Sequence, residues 1–341
     1  MKYFKQRFVV FIICALFLVA LTPASGITSE QPIVFLDLSW DSIQLHNRIA
    51  GYIVENGYGE KTDYLFSETV PGMLGLERGD IHVYMDGWVD NTPEWWREVQ
   101  ERKTVVNLGS NYYPAPQGWY VPTYVIKGDP ERGIEPMAPD LEYMEDLGKY
   151  WELFRDPEEP DKGRFTNAPL GWKISSINRD KIESLGLKEF FSVFEPGSGT
   201  ALKTQAISSY KKGKPILFYY WEPTALMGSY DFIRLKQRIP YKDELWTEDN
   251  GYNCDFPAPV IIKVLNREFA ENNQWIVDFL KKYKTTLPIN NAILSTMAEQ
   301  EMSTEDAAIW FLKNYRDTWH KWIPEDRQDV LEKVEKALSE E

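Results

Sequence analysis

Three tryptophans stand at the ends of apolar runs. They are Trp88 in Tyr84-Met85-Asp86-Gly87-Trp88, Trp172 in Ala168-Pro169-Leu170-Gly171-Trp172, and Trp221 in Ile216-Leu217-Phe218-Tyr219-Tyr220-Trp221. An indole at a strand or loop end can present its face to a cleft. That face is apolar and carries negative quadrupole potential. A quaternary ammonium has no N–H to hydrogen-bond and spreads its charge over methyl groups, so it suits such a face. Each ring contributes ~0.5–2 kcal/mol. Three converging rings would contribute about 2–6 kcal/mol before ordering costs, enough for micromolar-range binding with one added polar contact. The chain holds 13 Trp. Count alone would assign most of them to a core, so it is the position of these three that matters.

Other chemistry is thinly represented. The three histidines, His46, His82 and His320, have no metal-ligand spacing, and two cysteines cannot build a zinc cluster. There is no G-x-S-x-G elbow and no phosphate-binding Walker loop. Gly197-Ser198-Gly199-Thr200 is a short glycine turn that reads as structural. No carboxylate pair stands out as an acid/base couple. The expectation is a binding protein rather than an enzyme, with no catalytic residues, metal or cofactor. The formal charge of −14 argues against nucleic acid as a partner, which needs basic surface.

The elements that must position the tryptophans follow from patterning. At the N-terminus, Lys2, Lys5 and Arg7 precede an apolar run from Phe8 to Leu21, and small residues including Ala24 and Gly26 follow. This is the layout of a cleaved secretory signal peptide over residues 1–26. Its removal would take Cys14 and leave Cys254 alone, so stability must come from burial. Ile33–Leu38, Asp63–Phe66 and Ile81–Met85 read as strands. Between the first two lies a helix over about 42–56, with Asp41 at its N-cap and Leu45, Ile49 and Ile53 on one stripe. Strands alternating with helices predict an α/β sheet, and such sheets bind ligands beyond the carboxyl ends of their strands. Trp40 and Trp88 fall there. Trp119–Val125 and Phe256–Ile262 read as extended crossover segments. Lys173–Lys188 opens a second α/β unit. The C-terminal part is helical, with a capping box from Ser303 to Asp306 and with Trp275, Trp310, Trp319 and Trp322 at packing positions.

In order and in context, four segments resemble the substrate-binding proteins of glycine betaine/proline betaine ABC importers. They are Ser39-Trp40-Asp41-Ser42, the run from Gly79-Asp80 to Gly87-Trp88, Pro169-Leu170-Gly171-Trp172, and Gly213-Lys214-Pro215 through Trp221-Glu222-Pro223. The resemblance covers nearly all of the chain after residue 26. It implies a two-lobed periplasmic binding protein fold of type II, each lobe a mixed sheet flanked by helices, with two crossover strands. Lobe I would span 27–122 and 258–341, and lobe II 123–257. Trp88, Trp172 and Trp221 would cage an ammonium head, and the backbone amides of Lys173 and Ile174 would take a ligand carboxylate. Trp40, Thr92 and Glu222 are secondary candidates. Thr92 stands in a segment, Val89-Asp90-Asn91-Thr92, that departs from the family's usual pattern. Glu222 replaces a frequent Thr, and strand alternation points it away from the cage. The implied function is capture of glycine betaine or a related quaternary ammonium solute for a membrane ABC permease complex, by a periplasmic monomer. Choline, carnitine or a sulfonium compound as ligand, a sensor role for the same fold, and an exported enzyme acting on a polar small molecule remain alternatives.

Overall fold

The computed structural model describes residues 31–341. The expected signal peptide, its cleavage site and Cys14 lie outside the described residues. Two five-stranded mixed sheets make the frame. The first runs β2-β1-β3-β10-β4, from β1 (Ile33–Asp37), β2 (Thr62–Phe66), β3 (Val83–Gly87), β4 (Val105–Tyr112) and β10 (Ile261–Asn266). β1 pairs in parallel with β2 and β3, whereas β10 lies antiparallel between β3 and β4. The second sheet runs β7-β6-β8-β5-β9, from β5 (Gln117–Pro122), β6 (Gly163–Thr166), β7 (Phe191–Phe194), β8 (Leu217–Trp221) and β9 (Phe232–Arg234). β6 is parallel to β7 and β8, and β5 is antiparallel to β8 and β9.

The chain therefore passes from one sheet to the other twice. Outbound, it leaves the first sheet at Tyr112 and enters the second at Gln117. β5 was expected on the first-lobe side. It joins the second sheet because it pairs antiparallel with β8, and because Trp119, fully buried, packs on Phe165 of β6. The chain returns through Phe256–Val260, which is extended but unpaired, into β10.

Helices cover both sheets. The first runs from Asp41 to Ile53 and continues as a short π-turn to Tyr58. Asp41 is not its N-cap. Trp40 takes that position with extended backbone and no capping side chain, and Asp41 sits in the first turn. Behind the first sheet, Leu45, Ile49 and Ile53 join Phe279, Leu280, Phe311, Trp319 and Trp322 in one apolar core. The Ser303 hydroxyl accepts from the Asp306 amide, as its spacing predicts. The segment 236–256 folds back on the second sheet. Lys236 pairs with Glu142, Arg238 with Asp146, and the fully buried Lys181 donates to the Gln237 side chain and to the carbonyls of Tyr252 and Cys254.

Candidate ligand-binding site

Four indoles stand just at or beyond strand ends. Trp40 follows β1, Trp88 follows β3, Trp172 follows β6, and Trp221 closes β8. They come from both sheets and are 5–8% exposed. Together they wall a small cavity whose lining is completed by Thr69, Met73, Tyr84, Asn91, Thr92, Lys173, Ile174 and Tyr219. Trp172 stands edge-on to two neighbours. Its ring centre is 5.5 Å from that of Trp40, at 79°, and 4.9 Å from that of Trp221, at 83°. Tyr219 lies nearly parallel to Trp221 at 6.1 Å.

What fixes these rings is polar and lies outside the cavity. Asp86, in β3, is fully buried. Its Oδ2 accepts from the Trp40 indole at 2.8 Å and the Ser42 hydroxyl at 2.7 Å, and its Oδ1 accepts from the Tyr112 hydroxyl at 2.6 Å. The Trp88 side chain also acts to lower the pKa of the same carboxyl. Burial pushes the Asp86 carboxyl above its usual range while these donors pull it back. A carboxylate surrounded by donors serves as an acceptor on both oxygens, and indole N–H can only donate. One buried carboxylate thus holds the Trp40 wall of the cavity. On the other side, the Trp172 indole donates to the Ser39 hydroxyl at 2.7 Å. The Tyr219 hydroxyl donates to Gln117 Oε1 at 2.9 Å, and Gln117 donates to Asn91.

Lys173 and Ile174 open the helix Lys173–Ser184, with Trp172 at its N-cap. Their N–H groups belong to the first turn, which has no partner within a helix, and point out of its positive end. An anionic group in the cavity would find them ready.

Of the sequence candidates, Trp40, Trp88, Trp172, Trp221, Thr92, Lys173 and Ile174 are brought together around this cavity. Glu222 is not. Its carboxylate accepts from Asn291, at 3.4 Å, on the helix Leu287–Glu299, on the opposite side of β8 from the Tyr219–Trp221 face. Alternation along the strand is the physical reason. The carboxylate that attends the indoles is Asp86. Tyr84, Asp86 and Tyr219 escaped the sequence reading, although Tyr84, Asp86 and Trp88 share one strand parity, as do Tyr219 and Trp221. Thr69 and Met73 are one helical turn apart on the helix Thr69–Arg78, and no sequence signal distinguishes them.

The remaining groups lie elsewhere. His82 accepts from the Val34 amide, His46 contacts Tyr283, and His320 pairs with Glu335. Burial pushes the Cys254 thiol up and leaves it a packing residue. Among the described residues no cluster of three His, Cys, Asp or Glu could hold a metal. In the glycine turn, the Ser198 hydroxyl caps the Ala201 amide, and Gly199 lies against the Trp172 ring.

Comparison with known proteins gives a consistent picture. The family described as the substrate binding domain of ABC-type glycine betaine transport systems matches residues 31–314. The trimethylamine N-oxide-binding protein of Pelagibacter ubique (strain HTCC1062) is 22% identical over 293 residues, covering 85% of this chain and 90% of that one. The glycine betaine-binding periplasmic protein OusX of Dickeya dadantii (strain 3937) is 28% identical over 46% of this chain and 50% of its own length. Among solved structures, an ABC-transporter choline binding protein in complex with choline superposes with a TM-score of 0.72 at 19% identity, over 90% of this chain and 98% of that one. Lactococcal OpuAC, closed on glycine betaine, gives 0.67 at 16% identity, over 86% and 100%. The fold is that of a two-lobed periplasmic binding protein, and the chain belongs to the family of substrate-binding domains of ABC-type glycine betaine transport systems.

Proposed function

We propose that this protein captures a small methylated onium solute in the cavity between its two sheets and delivers it to a membrane ABC permease complex. One observation carries the ligand class: four indoles from two sheets converge on one cavity, and a buried carboxylate anchors Trp40 among them. Trimethylated nitrogen is the group common to trimethylamine N-oxide, glycine betaine and choline, the compounds that relatives and structural neighbours are named for. Trp40, Trp88, Trp172 and Trp221 would hold that head by cation–π attraction. A carboxylate or oxide tail would reach the amides of Lys173 and Ile174, with Thr92 nearby.

In this reading the first lobe comprises the β1–β4 and β10 sheet with the C-terminal helices, and the second comprises the β5–β9 sheet. Binding closes them about the two crossovers. The protein acts outside the cytoplasm, as its N-terminal pattern suggests, and as a monomer. Among the described residues no helix is long and apolar enough to cross a membrane.

Titration calorimetry with trimethylamine N-oxide, glycine betaine, choline, carnitine and dimethylsulfoniopropionate tests this. At least one should bind saturably. Trp88→Ala, Trp172→Ala and Trp221→Ala should each weaken it at least about tenfold, the equivalent of ~1.4 kcal/mol. Unaltered binding by all three variants would remove the cage.

A further inference from the structure

Trp246 lies outside the cavity, yet it links the two halves of the molecule. It sits in the 236–256 segment, which is tied to the second sheet throughout by Lys236–Glu142, Arg238–Asp146 and Ser184–Gly251 contacts. Its indole N–H crosses to the other half and donates to the Asp90 carbonyl at 2.6 Å. Asp90 belongs to the short turn Val89–Asn91 that immediately follows Trp88, and the next residues, Asn91 and Thr92, line the cavity. Trp246 is buried, at 2% exposed, and Asp90 is half-buried. Its ring is held in turn by Tyr252 edge-on at 5.2 Å, by Phe256 at 5.5 Å, and by the Lys181 ammonium at 5.5 Å. A rigid, buried donor in one half therefore fixes the turn that carries one wall of the cavity in the other.

We infer that Trp246 is a positioning residue for ligand capture. It joins the two halves and sets the turn from Trp88 to Thr92 without touching the ligand. A second bond of the same kind, from the Trp172 indole to Ser39, spans the opposite side of the cavity. The two differ in that Trp172 is itself a wall. Unlike Trp172, Trp246 can lose its bond and leave every wall residue in place.

The affinity part of this inference rests on the onium-binding reading, so the test has an arm that needs no ligand. Trp246→Phe keeps most of the ring and removes the donor. Trp246→Leu removes the ring as well. Amide hydrogen exchange on ligand-free protein follows the amides of Asn91 and Thr92, which bond to the carbonyls of Trp88 and Val89. In Trp246→Phe these two should exchange severalfold faster, while β1 and β6 keep their rates. With glycine betaine as probe, the same variant should bind about 3–10-fold more weakly, the range for one lost neutral hydrogen bond. Trp246→Leu should exceed it on both counts. Unchanged exchange at Asn91 and Thr92, or exchange that rises equally across both sheets, would overturn the assignment. If wild-type protein fails to bind the probe while exchange responds as described, the onium reading falls and the positioning role stands.

Discussion

Replacing Asp86 by Asn should damage the site more than any other isosteric change in it. The carboxylate is fully buried and takes three bonds of 2.6–2.8 Å from Tyr112, Ser42 and Trp40. Hydrogen bonds to a charged group contribute about 1.5–3 kcal/mol, neutral ones about 0.5–1.5. Removing the charge therefore weakens three bonds by about 1 kcal/mol each. Relief of the desolvation that pushes the carboxyl up offsets part of this. The amide also offers one acceptor atom instead of two. The hydroxyls of Ser42 and Tyr112 can turn to accept from the new NH₂ group, but the Trp40 indole cannot. A net destabilisation of about 1–2 kcal/mol follows, and the anchor of Trp40 is weakened. In the onium reading, affinity should drop at least about tenfold, more for choline, a net cation, than for the zwitterion glycine betaine. Calorimetric titration of both ligands against wild type and Asp86→Asn measures this, with thermal unfolding alongside. Equal affinities and equal midpoints in the two proteins would refute the claim that this carboxylate organises the cavity.

Three further expectations follow from the same geometry. Burial pushes the ammonium groups of Lys181 and Lys263 down to about 7, against about 10.4 in an unfolded chain. Between those values the unfolded chain binds more protons, so stability should rise with pH, by up to about 1.4 kcal/mol per pH unit for each lysine. Chemical denaturation from pH 7 to 9 should show that slope, and Lys263→Met should reduce it; an unaltered slope would mean that Lys263 does not titrate there. A Cβ at Gly199 would lie 3.1 Å from the Trp172 ring, closer than most real contacts. Gly199→Ala should therefore displace that indole and weaken onium binding severalfold in fluorescence titration, with little change in the unfolding midpoint; affinity equal to wild type would show that the ring has room to move. Glu222 faces Asn291 rather than the cavity, so Glu222→Gln should leave the ratio of choline to glycine betaine affinity where it is, and calorimetry showing a shifted ratio would place its charge in the site.

Much of this architecture is legible in local patterning. The strands at Ile33, Thr62 and Phe191, and the helix after Gly197, lie where apolar runs and turn residues put them. These are short-range signals, carried by periodicity and by glycine. Pairing is not local. β5 reads as an extended crossover in sequence, and only its antiparallel ladder with β8, about a hundred residues later, assigns it to the second sheet. The cavity divides in the same way. Aromatic rings at strand ends can be found by eye, because their size and position are unusual. Asp86 looks like any of 52 acidic residues until the fold buries it and turns the donors of Trp40, Ser42 and Tyr112 towards it. Glu222 shows the converse, since its neighbour Trp221 made it conspicuous while the strand's pleat turned it away.

Indole faces and indole edges do different work in this cavity. The faces and rims of Trp40, Trp88, Trp172 and Trp221 make an apolar enclosure that could suit a charge without N–H groups. The ring nitrogens of Trp40 and Trp172 are used up outward, on Asp86 and Ser39. A ring bonded at its edge cannot swing its N–H inward, so the cavity keeps few donors except the helix amides at Lys173 and Ile174. A primary ammonium would bring N–H groups with few acceptors to meet them, at about 1–3 kcal/mol for each one left unpaired. A trimethylated nitrogen brings none. On this argument selectivity for methylated ammonium comes from the polar anchors outside the cavity as much as from the aromatic surface within it.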